Sequence, residues 1–247
     1  MCIRDFGRGM NEMIDRSLNY GRHHIRSFLK KASSADLIVD LGAGVGDDLL
    51  SARKIWPRAK LKAVENWAPN IESLEKSGIS VLPLDIERDR LPFDDESVDV
   101  FIANQVLEHA KEVYWIFHEV SRTLKRGGIF IIGVPNLAAL HNRVLLAIGR
   151  QPSPIKTASA HVRGYTRLDI EEFLEIFTEG YCTEAFGGSN FYPFPPVIAR
   201  KLAAIFPNLA WGIFLMLRKK KTYQSEFLKF PLDKHLETSF YLGPVAE

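Results

Sequence analysis

Between residues 35 and 134 the chain alternates short apolar runs with helical patterns. The runs are Ala35–Leu41, Leu61–Glu65, Ile79–Leu84, Val98–Ala103 and Ile129–Val134. Helical spacing fills Asp47–Trp56, Pro69–Lys76 and Lys111–Leu124. Strands separated by helices must be parallel, joined by right-handed crossovers. Such a sheet is covered on both faces, which is why the runs are apolar throughout and do not alternate with polar residues. Ligands of these sheets bind at the carboxyl ends of the strands.

Outside that region the rhythm changes. Residues 12–31 predict a basic amphipathic helix, with Ile14, Leu18, Ile25, Phe28 and Leu29 on its apolar side. After residue 134 come a helical insert over 137–149, a polar loop over 150–165 and a helix over 168–177. Strands are expected at 181–187 and 210–218, followed by a tail without clear periodicity. The expectation is one domain over 1–247: a ligand-binding half at 36–136, a lid-like insert at 137–167, the rest of the sheet at 168–218, and a tail at 219–247. The insert should turn Leu137, Leu140, Val144, Leu145 and Ile148 inward over the ligand.

Hydrophobic residues make up 46% of the 247 and charged residues 25%, as in ordinary soluble domains. A net charge of +2 gives no electrostatic reason to expect nucleic acid as a partner. Cys2 and Cys182 form neither a disulfide framework nor a zinc spacing. No apolar leader segment is seen at the N-terminus, so a cytoplasmic location is expected. The apolar stretch Val197–Leu217 is interrupted by Arg200, Lys201, Pro207 and Asn208. It reads as a helix, a break and a strand, so a peripheral membrane contact there is the lesser expectation.

The first run ends in "VDLGAGVGDD", with glycines at 42, 44 and 46. A dinucleotide fingerprint spaces its glycines G-x-G-x-x-G and sets a pyrophosphate on the next helix. Here Asp47 stands at the place of the last glycine, with Asp48 beside it. Like charge beside a pyrophosphate would cost on the order of a few kcal/mol. A ligand with a positive centre and no phosphate removes the conflict, and S-adenosylmethionine carries a sulfonium and an ammonium. Asp40 and the aspartates after the turn would favour its cationic groups. Glu65 and Asp85 end the next two runs, where one acid can grip a ribose diol and the other the adenine amino group, with Ile86 against the ring.

The segments "VDLGAGVGD", "AVEN", "LPLDIE", "LPFDDESVDVFIANQVLEH" and "EVSRTLKRGGIFIIGVPN" resemble the class I S-adenosylmethionine-dependent methyltransferases, of the small-molecule kind and similar to type 11 and type 23 methyltransferase domains. The resemblance implies an α/β, Rossmann-like, doubly wound sheet of seven mostly parallel strands whose last strand is antiparallel. The N-terminal helix and the helical insert after strand five are additions to it. It further implies that Asp40, Gly42, Ala43 and Gly44 line the methionine part, and that Glu65 and Asn66 hold the ribose. Asp85 and Ile86 would frame adenine, and Asn104 and Gln105 pass beneath the sulfonium. S-adenosylhomocysteine would be the product.

"NQVLEH" is similar to the quinone O-methyltransferase segment in which Glu-x-x-Glu-His binds a divalent cation. Gln105 stands where that pattern has its first glutamate, so no metal is expected. His109 and His161 are candidate general bases for an oxygen or nitrogen acceptor. Asn136, His141, Arg163 and Tyr165 are candidate acceptor contacts. The expected acceptor is a small or amphiphilic molecule. A nucleic-acid methyltransferase is the first alternative, but the Asn/Asp-Pro-Pro-aromatic loop of base methylators is absent from the end of strand four. A non-catalytic protein that retains cofactor binding is the second. Oligomeric state is not legible.

Overall fold

The structure is a computed structural model that describes residues 15–33, 35–237 and 239–244. The apolar runs form β1 (Leu37–Leu41), β2 (Lys60–Val64), β3 (Ser80–Leu82), β4 (Val98–Asn104) and β5 (Leu124–Pro135). They are completed by β6 (Tyr181–Ser189) and β7 (Gly212–Lys219). Together they make one seven-stranded sheet in the order β3-β2-β1-β4-β5-β7-β6. All neighbours pair in parallel except β7, which lies antiparallel between β5 and β6. This is the expected doubly wound architecture with its antiparallel last strand.

Successive side chains of each strand enter different cores. Val39, Leu41, Phe101 and Leu215 join one cluster with Phe117, Phe130 and Phe177. Ile38, Val100, Phe214 and Met216 join the other, beneath the helices that carry Phe28 and Leu49. Period-two alternation therefore operates between two apolar layers.

The helices are α1 (Arg22–Leu29), α2 (Asp47–Ile55), α3 (Ala68–Lys76), α4 (Val113–Thr123), α5 (Leu140–Ala147), α6 (Arg167–Leu174), α7 (Pro196–Ile205) and α8 (Glu226–Asp233). Local chemistry sets several of their ends. α2 starts with Asp47 and Asp48 and finishes with Arg53 and Lys54, each sign matched to the helix dipole. α6 is capped by Thr166, whose side chain accepts from the Asp169 amide at 3.2 Å.

Three expectations need correction. The predicted helix over 12–31 is two pieces, a 3-10 turn Arg16–Tyr20 and α1, separated by Gly21 at φ 49°. A side chain at Gly21 would run into the Phe214 ring, 2.2 Å from an added Cβ, so the chain must bend here. Leu18, Ile25, Phe28 and Leu29 are buried as expected, whereas Ile14 lies outside the described residues, as does Cys2. The insert helix α5 does not turn its apolar side inward: Leu140, Val144, Leu146 and Ile148 are exposed, and its buried residue is Asn142. Asn142 is held there by donating to the Asn136 carbonyl and by accepting from the Ser153 amide and hydroxyl. The tail contains α8, whose Phe227 is fully buried against Phe173, Phe177 and Tyr223.

Val197–Leu217 is the expected helix, break and strand, and its strand β7 is core. Among the described residues no helix is long and apolar enough to cross a membrane. Cys182 is a free, half-buried thiol.

Candidate functional site

The turn after β1 is built for close approach. The Gly42 and Ala43 amides donate to the Val64 carbonyl at 2.8 and 3.3 Å, tying the turn to the end of β2. Gly42 has φ 62°, and a Cβ there would sit 2.5 Å from a Val106 methyl. Gly44 has φ 55° and nothing within 4 Å of the Cβ position, because it borders a cavity. Glu65 braces the turn from the side. Its carboxylate accepts from the Gly44 amide at 2.9 Å, the Asn66 amide at 3.1 Å, the Trp67 amide at 3.0 Å and Asn70 Nδ2 at 3.2 Å.

The cavity has a volume of ≈ 580 Å³ and lies at the carboxyl ends of β1 and β4. One end is acidic. Asp40 is 3% exposed and Asp48 8%. Burial raises the pKa of Asp40 well above the carboxylate range, and the charges of Asp48 and Glu65 push the same way. Burial also raises Asp48, partly offset by the hydrogen bond from Asn104. Asn104 Nδ2 donates to Asp48 Oδ2 at 2.7 Å and to the Tyr20 carbonyl at 3.0 Å. That leaves Asp48 Oδ1 and Asn104 Oδ1 buried without a hydrogen-bond partner. Two acceptor atoms without donors are costly to bury. A ligand bearing N–H donors and positive charge would satisfy both. Asp47, next to Asp48, is exposed and paired with Arg22 at 2.6 Å.

Gln105, just past β4, holds φ 60°, a strained conformation for a residue with a side chain. Its amide donates to the Gly133 carbonyl at 2.7 Å, and its Nε2 is buried without a partner. A 3-10 turn, Leu107–His109, follows and forms the opposite end of the cavity with His161. Glu108 is 2% exposed, and burial raises its carboxyl pKa to about 8. The His109 and His161 rings meet edge to face at 4.6 Å. Burial, then the neighbouring His109, lowers the pKa of His161, so its imidazole is neutral at pH 7.

The structure brings Asp40, Gly42, Ala43, Gly44, Asn104, Gln105, His109 and His161 to this one cavity. Glu65, Asn66, Asp85 and Ile86 stand at or beyond the adjoining strand ends, outside the enclosed volume. Arg163 and Tyr165 line a second cavity of ≈ 300 Å³, largely apolar, behind the 3-10 turn. Tyr165 donates there to the Leu107 carbonyl at 3.2 Å. Asn136 lines neither cavity. Its Nδ2 donates to the carbonyls of Asn208 and Ala210, and its Oδ1 accepts from the Ala138 amide. His141 is likewise apart, bonded to Ser153 Oγ at 2.8 Å and packed on Tyr192. Sequence reasoning passed over Asn19, Arg22, Asn70 and Trp211, which also border the cavity. No local signal marks them, since tertiary packing alone carries them to the strand ends.

A stability measurement can check the state of Glu108. A carboxyl raised from 4.5 to about 8 stays protonated in the folded chain where the unfolded chain has ionised. Stability is therefore lost as pH rises through that window. Glu108→Gln does not titrate, so it should gain on the parent between about pH 5 and pH 8, by roughly 3 kcal/mol. Thermal melts in a chelating buffer would show it, and parallel pH profiles for the two proteins would contradict it.

A family model described as a methyltransferase domain matches residues 39–132. An uncharacterised protein of Methanocaldococcus jannaschii is 45% identical over 105 residues, which are 42% of this chain and 47% of that protein. A malonyl-[acyl-carrier protein] O-methyltransferase of Xylella fastidiosa is 29% identical over 98 residues, 38% of this chain and 33% of that one. The matches thus span a third to a half of the length of these relatives. Among solved structures, the plantazolicin methyltransferase BpumL in complex with SAH superposes with a TM-score of 0.56. It is 17% identical, with 88% of this chain and 90% of that chain covered, a likeness of fold.

Proposed function

We propose that this chain, whose residues 39–132 match a methyltransferase-domain model, is a class I S-adenosylmethionine-dependent methyltransferase that transfers a methyl group from that cofactor to an oxygen or nitrogen of a small or amphiphilic acceptor. The observation that carries this reading is the pair of unpartnered buried acceptors, Asp48 Oδ1 and Asn104 Oδ1, beside Asp40 and the open face of Gly44. An ammonium supplies donors to these two oxygens, whereas the Arg22 guanidinium that borders the same cavity is paired with Asp47.

The cofactor supplies a methyl group already activated on a sulfonium. Asp40, Asp48 and Asn104 hold the amino group of its methionine part. Gly44 admits that part against the backbone, and Glu65 keeps the turn in shape through its bond to the Gly44 amide. Glu65, Asn66, Asp85 and Ile86 serve the ribose and adenine at the neighbouring strand ends. At the far end the Nε2 of His109 or His161 takes the acceptor's proton. Holding the acceptor in line within a cavity of ≈ 580 Å³ does the rest.

Cofactor affinity should depend on pH. Burial raises the pKa of both Asp40 and Asp48, and only their ionised forms attract the ammonium. Affinity for S-adenosylmethionine is therefore expected to increase as pH rises above the ordinary carboxylate range, where free carboxyls are already ionised. Calorimetric titration over that rise would reveal a flat profile if the carboxyl groups do not face the ligand.

The acceptor is found by transfer of labelled methyl to lipids, quinones, sugars, small acids and carrier-bound thioesters, with RNA and DNA alongside. Label in one small or amphiphilic class is expected. Label in nucleic acid alone, or cofactor binding with no transfer to any class, would contradict the reading.

A further inference from the structure

The end of the cavity opposite the glycine turn carries three donors of the kind that hold metal ions. Glu108 and His109 stand on the 3-10 turn after β4, and His161 comes from the loop before α6. One ligand atom from each lies within 4.8 Å of the other two. Donors bound to one ion at 2.0–2.1 Å sit at most about 4.2 Å apart. Binding an ion therefore requires the donors to draw together by a few tenths of an ångström, and the His109 side of the cluster is exposed.

Two further features prepare these groups. His109 Nδ1 lies 3.3 Å from the Ala160 carbonyl, and His161 Nδ1 lies 2.7 Å from the Pro154 carbonyl. A carbonyl oxygen only accepts, so each Nδ1 carries the hydrogen and each Nε2 keeps a free lone pair. Ligating histidines are typically oriented in this way, by donation from the other ring nitrogen. Glu108 is 2% exposed, and its Oε2 has no hydrogen-bond partner among the described residues. A buried oxygen without a donor is what a cation would satisfy.

We propose that Glu108, His109 and His161 bind a divalent first-row transition ion of the Zn²⁺ type at the acceptor end of the cavity. Two nitrogen donors and one carboxylate suit such ions, whereas Mg²⁺ prefers an all-oxygen set. Gln105, whose identity removed the expectation of a metal, is not one of the three. The third donor is His161, which the sequence places far from the other two. Three protein donors leave a coordination position open, and an acceptor hydroxyl bound there would lose its proton more readily. That role rests on the methyl-transfer reading and, since both imidazoles then ligate the ion, stands in place of the histidine base; binding of the ion does not rest on it.

The test uses the full chain, tag-free and stripped with a chelator, without cofactor. Co²⁺ is titrated and followed by its visible d–d absorption, then displaced by Zn²⁺ or challenged with excess Mg²⁺. One equivalent of Co²⁺ is expected, displaced by Zn²⁺ and not by Mg²⁺. His161→Ala and Glu108→Gln should each weaken Co²⁺ binding roughly 100-fold or more. His235→Gln, at an exposed histidine outside the cavity, should leave it unchanged. Thermal melts establish that each variant is folded, and His161→Gln replaces His161→Ala if the latter is not. Absent d–d bands, equal affinity in the parent and both site variants, or displacement by Mg²⁺ would overturn the proposal. A parallel titration with S-adenosylmethionine separates that failure from a failure of the methyl-transfer reading.

Discussion

Glu65→Ala should weaken S-adenosylmethionine binding roughly 100-fold, about 2.7 kcal/mol. The Glu65 carboxylate accepts four hydrogen bonds, three of them from backbone amides. Bonds to an ionised acceptor contribute about 1.5–3 kcal/mol each in favourable settings. Alanine frees the Gly44 amide, and with it the conformation of the turn that borders the cavity. The same change removes the acid proposed to hold the ribose. Both losses fall on cofactor affinity, so the sheet should survive while binding collapses. Glu65→Gln separates the two: it keeps one acceptor oxygen for the turn and should recover part of the affinity. Calorimetry on the parent and both variants, with circular dichroism for the fold, makes the comparison. Equal dissociation constants in all three would refute this account of the turn.

Phe214→Ala is expected to lower unfolding free energy by about 3–5 kcal/mol, the range for emptying a fully buried aromatic site. The ring is 0% exposed on β7, between β5 and β6, and stacks on His24 at 5.4 Å. It also fills the space against which Gly21 and Gly133 are packed, at 2.2 and 2.7 Å from their Cβ positions. Gly21 sets the bend that brings the Tyr20 carbonyl to Asn104. The variant should therefore lose cofactor affinity beyond its loss of stability, because Asn104 loses a fixed partner. Phe214→Leu should restore most of the stability. Urea denaturation measures the first effect and cofactor titration of the folded variant the second. A stability change under about 1 kcal/mol would show that the core repacks around the gap.

The sheet was legible because its strands are buried on both faces, so each appears as an uninterrupted apolar run. Asp40, Glu65 and Asp85 were legible as strand-end acids because a carboxylate closing an apolar run stands out, whereas the bonds of Glu65 to the amides of the neighbouring turns were not, since only the folded register brings them to it. The N-terminal helix was misread because periodicity ignores a single glycine. What demands Gly21 is a phenylalanine on β7, distant in sequence. The insert was misread because a helical pattern tells which residues share a face and not what covers it. In α5 the buried position went to Asn142, which can satisfy the loop's backbone. α8 was hidden by Pro231 within it and by Ser225 in a left-handed conformation before it. The juxtaposition of His161 with Glu108 and His109 has no local signature, since loop closure alone produces it.

The cavity at the end of β1 is proposed to take a cationic cofactor and not a dinucleotide. The measurement that tests it is calorimetric titration of the full chain with S-adenosylmethionine, S-adenosylhomocysteine and NAD at one pH and salt concentration. One-to-one binding of the first two and no heat from NAD are expected. NAD binding more tightly than S-adenosylmethionine, or no binding of either sulfur ligand, would contradict it.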